Sequence, residues 1–188
     1  MTAEPRPKLT AEEYLAIERR AQTKSEFLDG EMFAMSGASR RHGLVAGNCF
    51  AVLHRQLRGR PCETFAGDLR VRVSATGLYT YPDVVVVCGE AQFADAELDT
   101  LLNPTVVIEV LSKSTADYDR GTKFAHYRSL PSLQEYLVFA QDEALVEHHT
   151  RQQDGRWLLA EVRDPAAVLE LAAIGCRLPL TEVYERVL

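Results

Sequence analysis

No apolar run in the sequence approaches the roughly 20 residues of a membrane-spanning helix. The opening stretch, MTAEPRPKLTAEEY, has no apolar segment of signal-peptide type, so a cytoplasmic location is the expectation. The four cysteines, Cys49, Cys62, Cys88 and Cys176, form no CxxC pair. Their scatter offers no zinc site, and in a reducing compartment they are expected to be small buried hydrophobes without disulfides. Bulk positive charge is missing as well: a net charge of −6 argues against a protein that coats nucleic acid by long-range attraction. Repeats, low-complexity tracts and an evident linker are also lacking. A chain of 188 residues with these properties is expected to form one domain with a substantial core.

What is present is unevenly distributed. Between Arg40 and Arg72 lie seven Arg (Arg40, Arg41, Arg55, Arg58, Arg60, Arg70, Arg72) against Glu63 and Asp68, whereas Asp83 to Glu109 holds six acids and no Lys or Arg. A basic flank beside an acidic segment suits a site that holds a cation and approaches phosphates. The alternative is two ordinary solvated faces.

Local signals give a mixed α/β or α+β chain around a mixed sheet. LTAEEYLAIERRA opens with Thr10 and Glu13 in capping-box spacing. SEFLDGEMFAMSG carries Asp29-Gly30 between two short apolar runs, a hairpin signal. Leu44, Val45, Phe50, Val52, Leu53 and Leu57 have mostly helical spacing, and Gly59 ends that helix. Leu69, Val71 and Val73 alternate with Arg70 and Arg72 as in a half-exposed strand. Two solid β-branched runs, TYPDVVVV and NPTVVIEV, read as strands buried on both faces. STADYDRGTKFAHYRSL reads as a capped helix with Phe124 and Tyr127 on its apolar side. LQEYLVFA, ALVEHHTRQ and RWLLAEVR suggest three more strands, with His148 and His149 on an exposed one, and LPLTEVYERVL a short closing helix.

The chemistry is concentrated in the two buried strands, each of which holds one carboxylate, Asp83 or Glu109. If the strands are neighbours, these side chains converge at one sheet edge, where mutual repulsion is relieved by a proton or by a hard divalent cation such as Mg²⁺. Helical periodicity places Asp119, Lys123 and Tyr127 on one stripe, so Lys123 can project over the strand ends to orient or deprotonate a water or to meet phosphate charge. Glu26, read as the end of the first helix, is a fourth candidate, flanked by Phe27 and Leu28. The bland alternatives are a backbone cap for Asp83, a buried salt bridge of Glu109 with Lys123 or Arg120, and an i,i+4 surface pair of Lys123 with Asp119. His42, after Arg40-Arg41, could touch a phosphate or be structural.

YPDVVVV, PTVVIEVLSKST and DYDRGTKFAHYRSLPSLQEYLVF, preceded by SEFLDGEMFAMSGASRRH, resemble in order the motifs of the Uma-type endonucleases, a branch of the PD-(D/E)XK nuclease superfamily. The resemblance runs from about Leu9 to about Val146. It implies a restriction-endonuclease-like fold and Mg²⁺- or Mn²⁺-dependent hydrolysis of DNA. Pro82-Asp83 then matches the PD element and Glu109 the acid of (D/E)XK. Leu111 stands where the motif lysine belongs, and Lys123 from the next helix takes its place. Glu26 matches the acid contributed from the first helix. The implied metal ligands are Asp83, Glu109 and the backbone carbonyl of Val110, with Glu26 acting through water. Cutting both strands calls for two such sites, which a homodimer supplies. Two rival readings remain: a nuclease-like module without catalysis, and an α/β domain whose buried acids only pair with Arg or Lys.

Overall fold

The computed structural model describes residues 8–112 and 115–188. In chain order the elements are α1 (Ala11–Glu18), β1 (Ser25–Leu28), β2 (Glu31–Ala34), α2 (Arg40–Leu57), β3 (Cys62–Ala66), β4 (Arg70–Val73), β5 (Leu78–Thr80), β6 (Val84–Cys88), β7 (Thr100–Leu101) and β8 (Val106–Val110). Then come α3 (Ala116–Tyr118), a π-helical turn (Asp119–Lys123), α4 (Phe124–Tyr127), β9 (Glu135–Phe139), β10 (Val146–Arg151), β11 (Trp157–Val162), β12 (Val168–Leu171), β13 (Cys176–Pro179) and α5 (Leu180–Val183).

The expected local devices form. Thr10 caps α1, and its partner Glu13 reaches back to the Thr10 N–H at 2.8 Å. Asp29 and Gly30 both take positive φ, 52° and 83°, as a two-residue hairpin turn between β1 and β2 demands. Ser39 caps the 18-residue α2 by accepting from the His42 N–H at 3.1 Å.

The central sheet runs β11-β10-β9-β8-β6-β3, with β8 and β9 parallel and β6 and β8 antiparallel. A second sheet runs β2-β1-β5-β4-β7, and β12 pairs with β13. One face of the central sheet presents Val84, Val86, Ile108 and Val110 to α2, where Val45, Cys49, Val52 and Leu53 are buried. The other face presents Val85, Val87 and Val107 to Val71, Val73 and Leu78 of the second sheet and to Tyr127. The uninterrupted valines are thus explained: successive side chains point to opposite faces, and both faces are covered. Tyr14 and Leu15 of α1 close the far side of the second sheet against Phe27 and Tyr79.

Four expectations are corrected. The strand with Arg70 is not half-exposed: Arg70 is buried, its Nη1 donating to the Tyr81 hydroxyl at 2.7 Å and its Nη2 standing 2.8 Å from Asp99. A guanidinium can be buried when a carboxylate and hydroxyl groups stand beside it, which alternation alone does not reveal. Cys62 and Cys88 form a disulfide, because the β3–β6 register sets them directly opposite; Cys49 and Cys176 are buried free thiols, as expected. His148 and His149 lie on β10, between β9 and β11, so they are largely buried: His148 pairs with Glu135 at 2.7 Å, and His149 packs on Phe124. The segment read as one helix is two short α-helical pieces around a π-helical turn.

Candidate active site

Asp83 and Glu109 come together through register. Val84 pairs with Ile108 across β6 and β8, and the same antiparallel step carried one residue further sets Asp83 opposite Glu109 at the sheet end. Asp83 Oδ2 accepts the Val110 backbone N–H at 2.7 Å, fixing the carboxylate to the neighbouring strand. Glu109 is only 3% exposed; its Oε1 accepts the Tyr127 hydroxyl at 3.0 Å and lies 2.9 Å from Lys123 Nζ.

Lys123, 4% exposed, is the hub of the cluster. Besides Glu109, its amine lies 3.3 Å from Glu26 and 3.5 Å from Asp119. The π-helical turn, with its wider spacing, carries Asp119 and Lys123 inward together, and Tyr136 on β9 donates its hydroxyl to the Asp119 carbonyl at 2.8 Å. The Asp119–Lys123 pair is therefore i,i+4 as anticipated but buried, not on the surface. Arg120, the other partner considered for Glu109, bonds Glu147 instead.

Glu26 enters from a different element than expected. It stands on β1, whereas α1 ends at Glu18. The strand forms because Phe27 stacks on Tyr14 at 4.7 Å and pairs with Met32 and Tyr79 on either side. Alternation then turns Glu26 the other way, toward Lys123, the Thr80 hydroxyl and the Tyr118 hydroxyl.

His42, for which the sequence allows either a phosphate contact or a structural role, has its Nε2 3.2 Å from Asp83 Oδ2. These groups line one cleft of about 1920 Å³, bounded by the start of α2, the end of the β1–β2 hairpin and the loop before α3. Of the seven arginines in the basic flank, only Arg40 and Arg41 line it. Arg55, Arg60 and Arg70 are engaged with Glu182, the Ile174 carbonyl and Asp99.

Four carboxylates thus surround one lysine and one histidine. Burial pushes Glu109 up to about 8, against the pull of Lys123 and with the push of Asp83 and Asp119. Burial likewise raises Asp119. On Lys123 burial acts downward, but Glu109, Glu26 and Asp119 outweigh it and hold the amine well above its ordinary value. For His42, too, burial is outweighed, here by Asp83, Asp119 and the Val110 backbone, and the ring is shifted up.

A site with more carboxylate than cation fits a hard divalent ion. Among the described residues no three His, Cys, Asp or Glu side chains converge into a closed cage. Mg²⁺ does not require one, since it commonly takes one or two carboxylates and completes its shell with water and phosphate oxygen. Asp83 and Glu109, with the Val110 carbonyl beside them, meet that description.

Known proteins share this arrangement of chain. Two Synechocystis proteins are similar along most of it. Uncharacterized protein sll1609 is 39% identical over 164 residues, covering 87% of this chain and 93% of its own. Uncharacterized protein slr1290 is 36% identical over 180 residues, covering 96% and 93%. The crystal structure of a "putative nuclease belonging to DUF820" from Anabaena variabilis superposes with a TM-score of 0.76 over 96% of this chain and 99% of that one, at 18% identity. The shared fold is the restriction-endonuclease-like one expected from the motifs. With residues 11–181 matching its profile, the chain belongs to the Uma2 family, described as "Putative restriction endonuclease".

Proposed function

We propose that the chain is a Mg²⁺- or Mn²⁺-dependent endonuclease that hydrolyses DNA phosphodiester bonds, its site residues contained in one domain. The observation that carries this reading is the excess of carboxylate around Lys123 in an open cleft. Asp83, Glu109 and the Val110 carbonyl would hold the ion, with Glu26 beside them. When bound, such an ion would polarise the scissile phosphate and activate water.

The protein's own groups divide the remaining work. Lys123 is held charged by three carboxylates, so it serves as a donor that orients water or phosphate oxygen and not as the base. Tyr127 fixes Glu109, and Thr80 with Tyr118 fixes Glu26, which keeps the acids from turning away when the cleft fills. Arg40 and Arg41, both solvent-exposed at the start of α2, are placed to meet backbone phosphates. Cleavage of both strands is assigned to a homodimer.

The test is incubation of supercoiled plasmid with the protein and Mg²⁺ or Mn²⁺. Asp83→Ala and Glu109→Ala are expected to lose at least about 10²-fold in rate, the equivalent of about 3 kcal/mol of barrier. Cleavage that persists unchanged in Asp83→Ala would point to a contaminant and remove the catalytic claim.

A further inference from the structure

The ring of His42 stands among the groups assigned to the metal, yet nothing in that assignment uses it. Its Nε2 lies 3.2 Å from Asp83 Oδ2. A hydrogen bond with the Val110 backbone also favours the charged ring, and only the carbonyl oxygen can act in that sense. Two of the three proposed metal donors are therefore already gathered at this imidazole. The third, Glu109, is drawn onto Lys123 and Tyr127.

The separation is informative. Two donors each about 2.1 Å from one small ion, at right angles, stand about 3.0 Å apart. A ring nitrogen 3.2 Å from a carboxylate oxygen is near that edge length, so both can serve one ion with little movement. The other ring nitrogen, Nδ1, is buried without a hydrogen-bond partner. What orients the imidazole is thus on the Nε2 side.

The placement is fixed from several directions. The His42 N–H is held by the Ser39 cap at 3.1 Å. The Ser39 hydroxyl bonds Gln141 Oε1, and Gln141 Nε2 donates to the Leu111 carbonyl at 2.8 Å. The start of α2 is in this way tied to the end of the strand that carries Glu109 and Val110.

Resting on the reading of Asp83 and Glu109 as metal ligands, we propose that His42 is a further protein ligand, binding the ion through Nε2 beside Asp83. A nitrogen donor changes which ion the site prefers. Oxygen donors suit Mg²⁺, whereas imidazole favours later first-row ions such as Co²⁺ and Zn²⁺ and is well tolerated by Mn²⁺. The site is a mixed N,O centre that selects transition ions over Mg²⁺.

The experiment is Mn²⁺ binding by the purified protein, followed by calorimetry and pulsed EPR without nucleic acid. Wild type should show nitrogen modulation from a directly bound imidazole, altered by ¹⁵N-histidine labelling. His42→Ala and His42→Asn, checked for folding by circular dichroism, should lose that modulation while still binding Mn²⁺. Their Co²⁺ affinity should fall at least about tenfold, and their Mg²⁺ affinity much less. Mn²⁺ that binds wild type and is lost in Asp83→Ala, but shows no nitrogen coupling, overturns the role of His42 and leaves the metal reading standing. Failure of wild type to bind any of the ions removes both.

Discussion

Two charge clusters, one partly exposed around Arg19 and Arg70 and one buried around Lys123, shift their acids in opposite directions. In the first, Arg19 and Arg70 face Asp95, Asp99 and Glu18. Arg19 alone reaches Asp95 at 2.7 Å and Asp99 at 2.8 Å, and Glu18 receives the Tyr81 hydroxyl. Hydrogen bonds from Arg19, ahead of every other influence, hold Asp95 and Asp99 below the usual carboxylate range. In the second, one amine faces Glu109, Glu26 and Asp119, with Asp83 behind, and burial drives Glu109 and Asp119 upward. A cluster in which each aspartate is paired with a guanidinium is a structural staple. A cluster in which four carboxylates share one lysine and one histidine is far shorter of positive charge, and that shortfall is what the proposed metal would fill.

The comparison breaks first, and with the largest effect, at its two hubs. Removing one member of a buried charged cluster typically costs about 3–5 kcal/mol, so Arg70→Ala and Lys123→Ala should each destabilise by about that much in EDTA. Only Lys123→Ala should recover on adding Mn²⁺, because only there can an ion replace the lost charge. Urea melts of both variants with and without Mn²⁺ measure this, and an equal response in the two would erase the distinction.

A smaller effect of opposite sign is expected from Glu109→Gln. The glutamine can still accept from Lys123 and Tyr127 while shedding a buried charge, so it should gain about 1 kcal/mol in EDTA at pH 9. The pH dependence follows from linkage. Glu109 titrates near 8 in the folded chain against an ordinary 4.5, so the folded state binds the extra proton between those values. Its contribution is complete below about pH 4.5 and is lost as pH rises through about 8. The advantage of Glu109→Gln should therefore vanish by about pH 5. A gain independent of pH would mean that Glu109 is not the strained acid.

The smallest effect is at the rim of the arginine-paired cluster. Asp95 and Asp99 are shifted down, so what Arg19 contributes is fully present above their unfolded value of 3.8 and is lost progressively as pH falls from there through their lowered folded values. Arg19→Ala should lower the melting temperature slightly at pH 7 and by progressively less as the pH is taken from about 4 towards 2. Screening by 1 M salt should shrink the difference further.

Much of the site can be read from the chain because buried charge in a β-branched run has few explanations. Asp83 and Glu109 are conspicuous among valines, and Lys123 shares a helical stripe with Tyr127. His42 is not conspicuous, since its meaning depends on a strand end more than 40 residues away and on a cap that aims the helix. Glu26 is legible as an inward acid but not as a strand residue: nothing in RRAQTKS announces where α1 stops, and the stacking of Phe27 on Tyr14 decides it. Arg70 misleads for the same reason, because its partner Asp99 lies in a segment that reads as loop. The disulfide is hidden by a separation of 26 residues that only the β3–β6 register closes.

The π-helical turn at Asp119–Lys123 bears on how relatives are compared. An α-helix advances about 100° per residue, so losing one residue between Asp119 and Lys123 would swing the amine by about that angle off the face that meets Glu109. A one-residue gap here, of the kind usually dismissed as length variation in a connecting segment, would separate chains that keep the amine in the cleft from chains that turn it toward solvent. Sorting the family by that gap is a way to divide it by chemistry before any member is assayed.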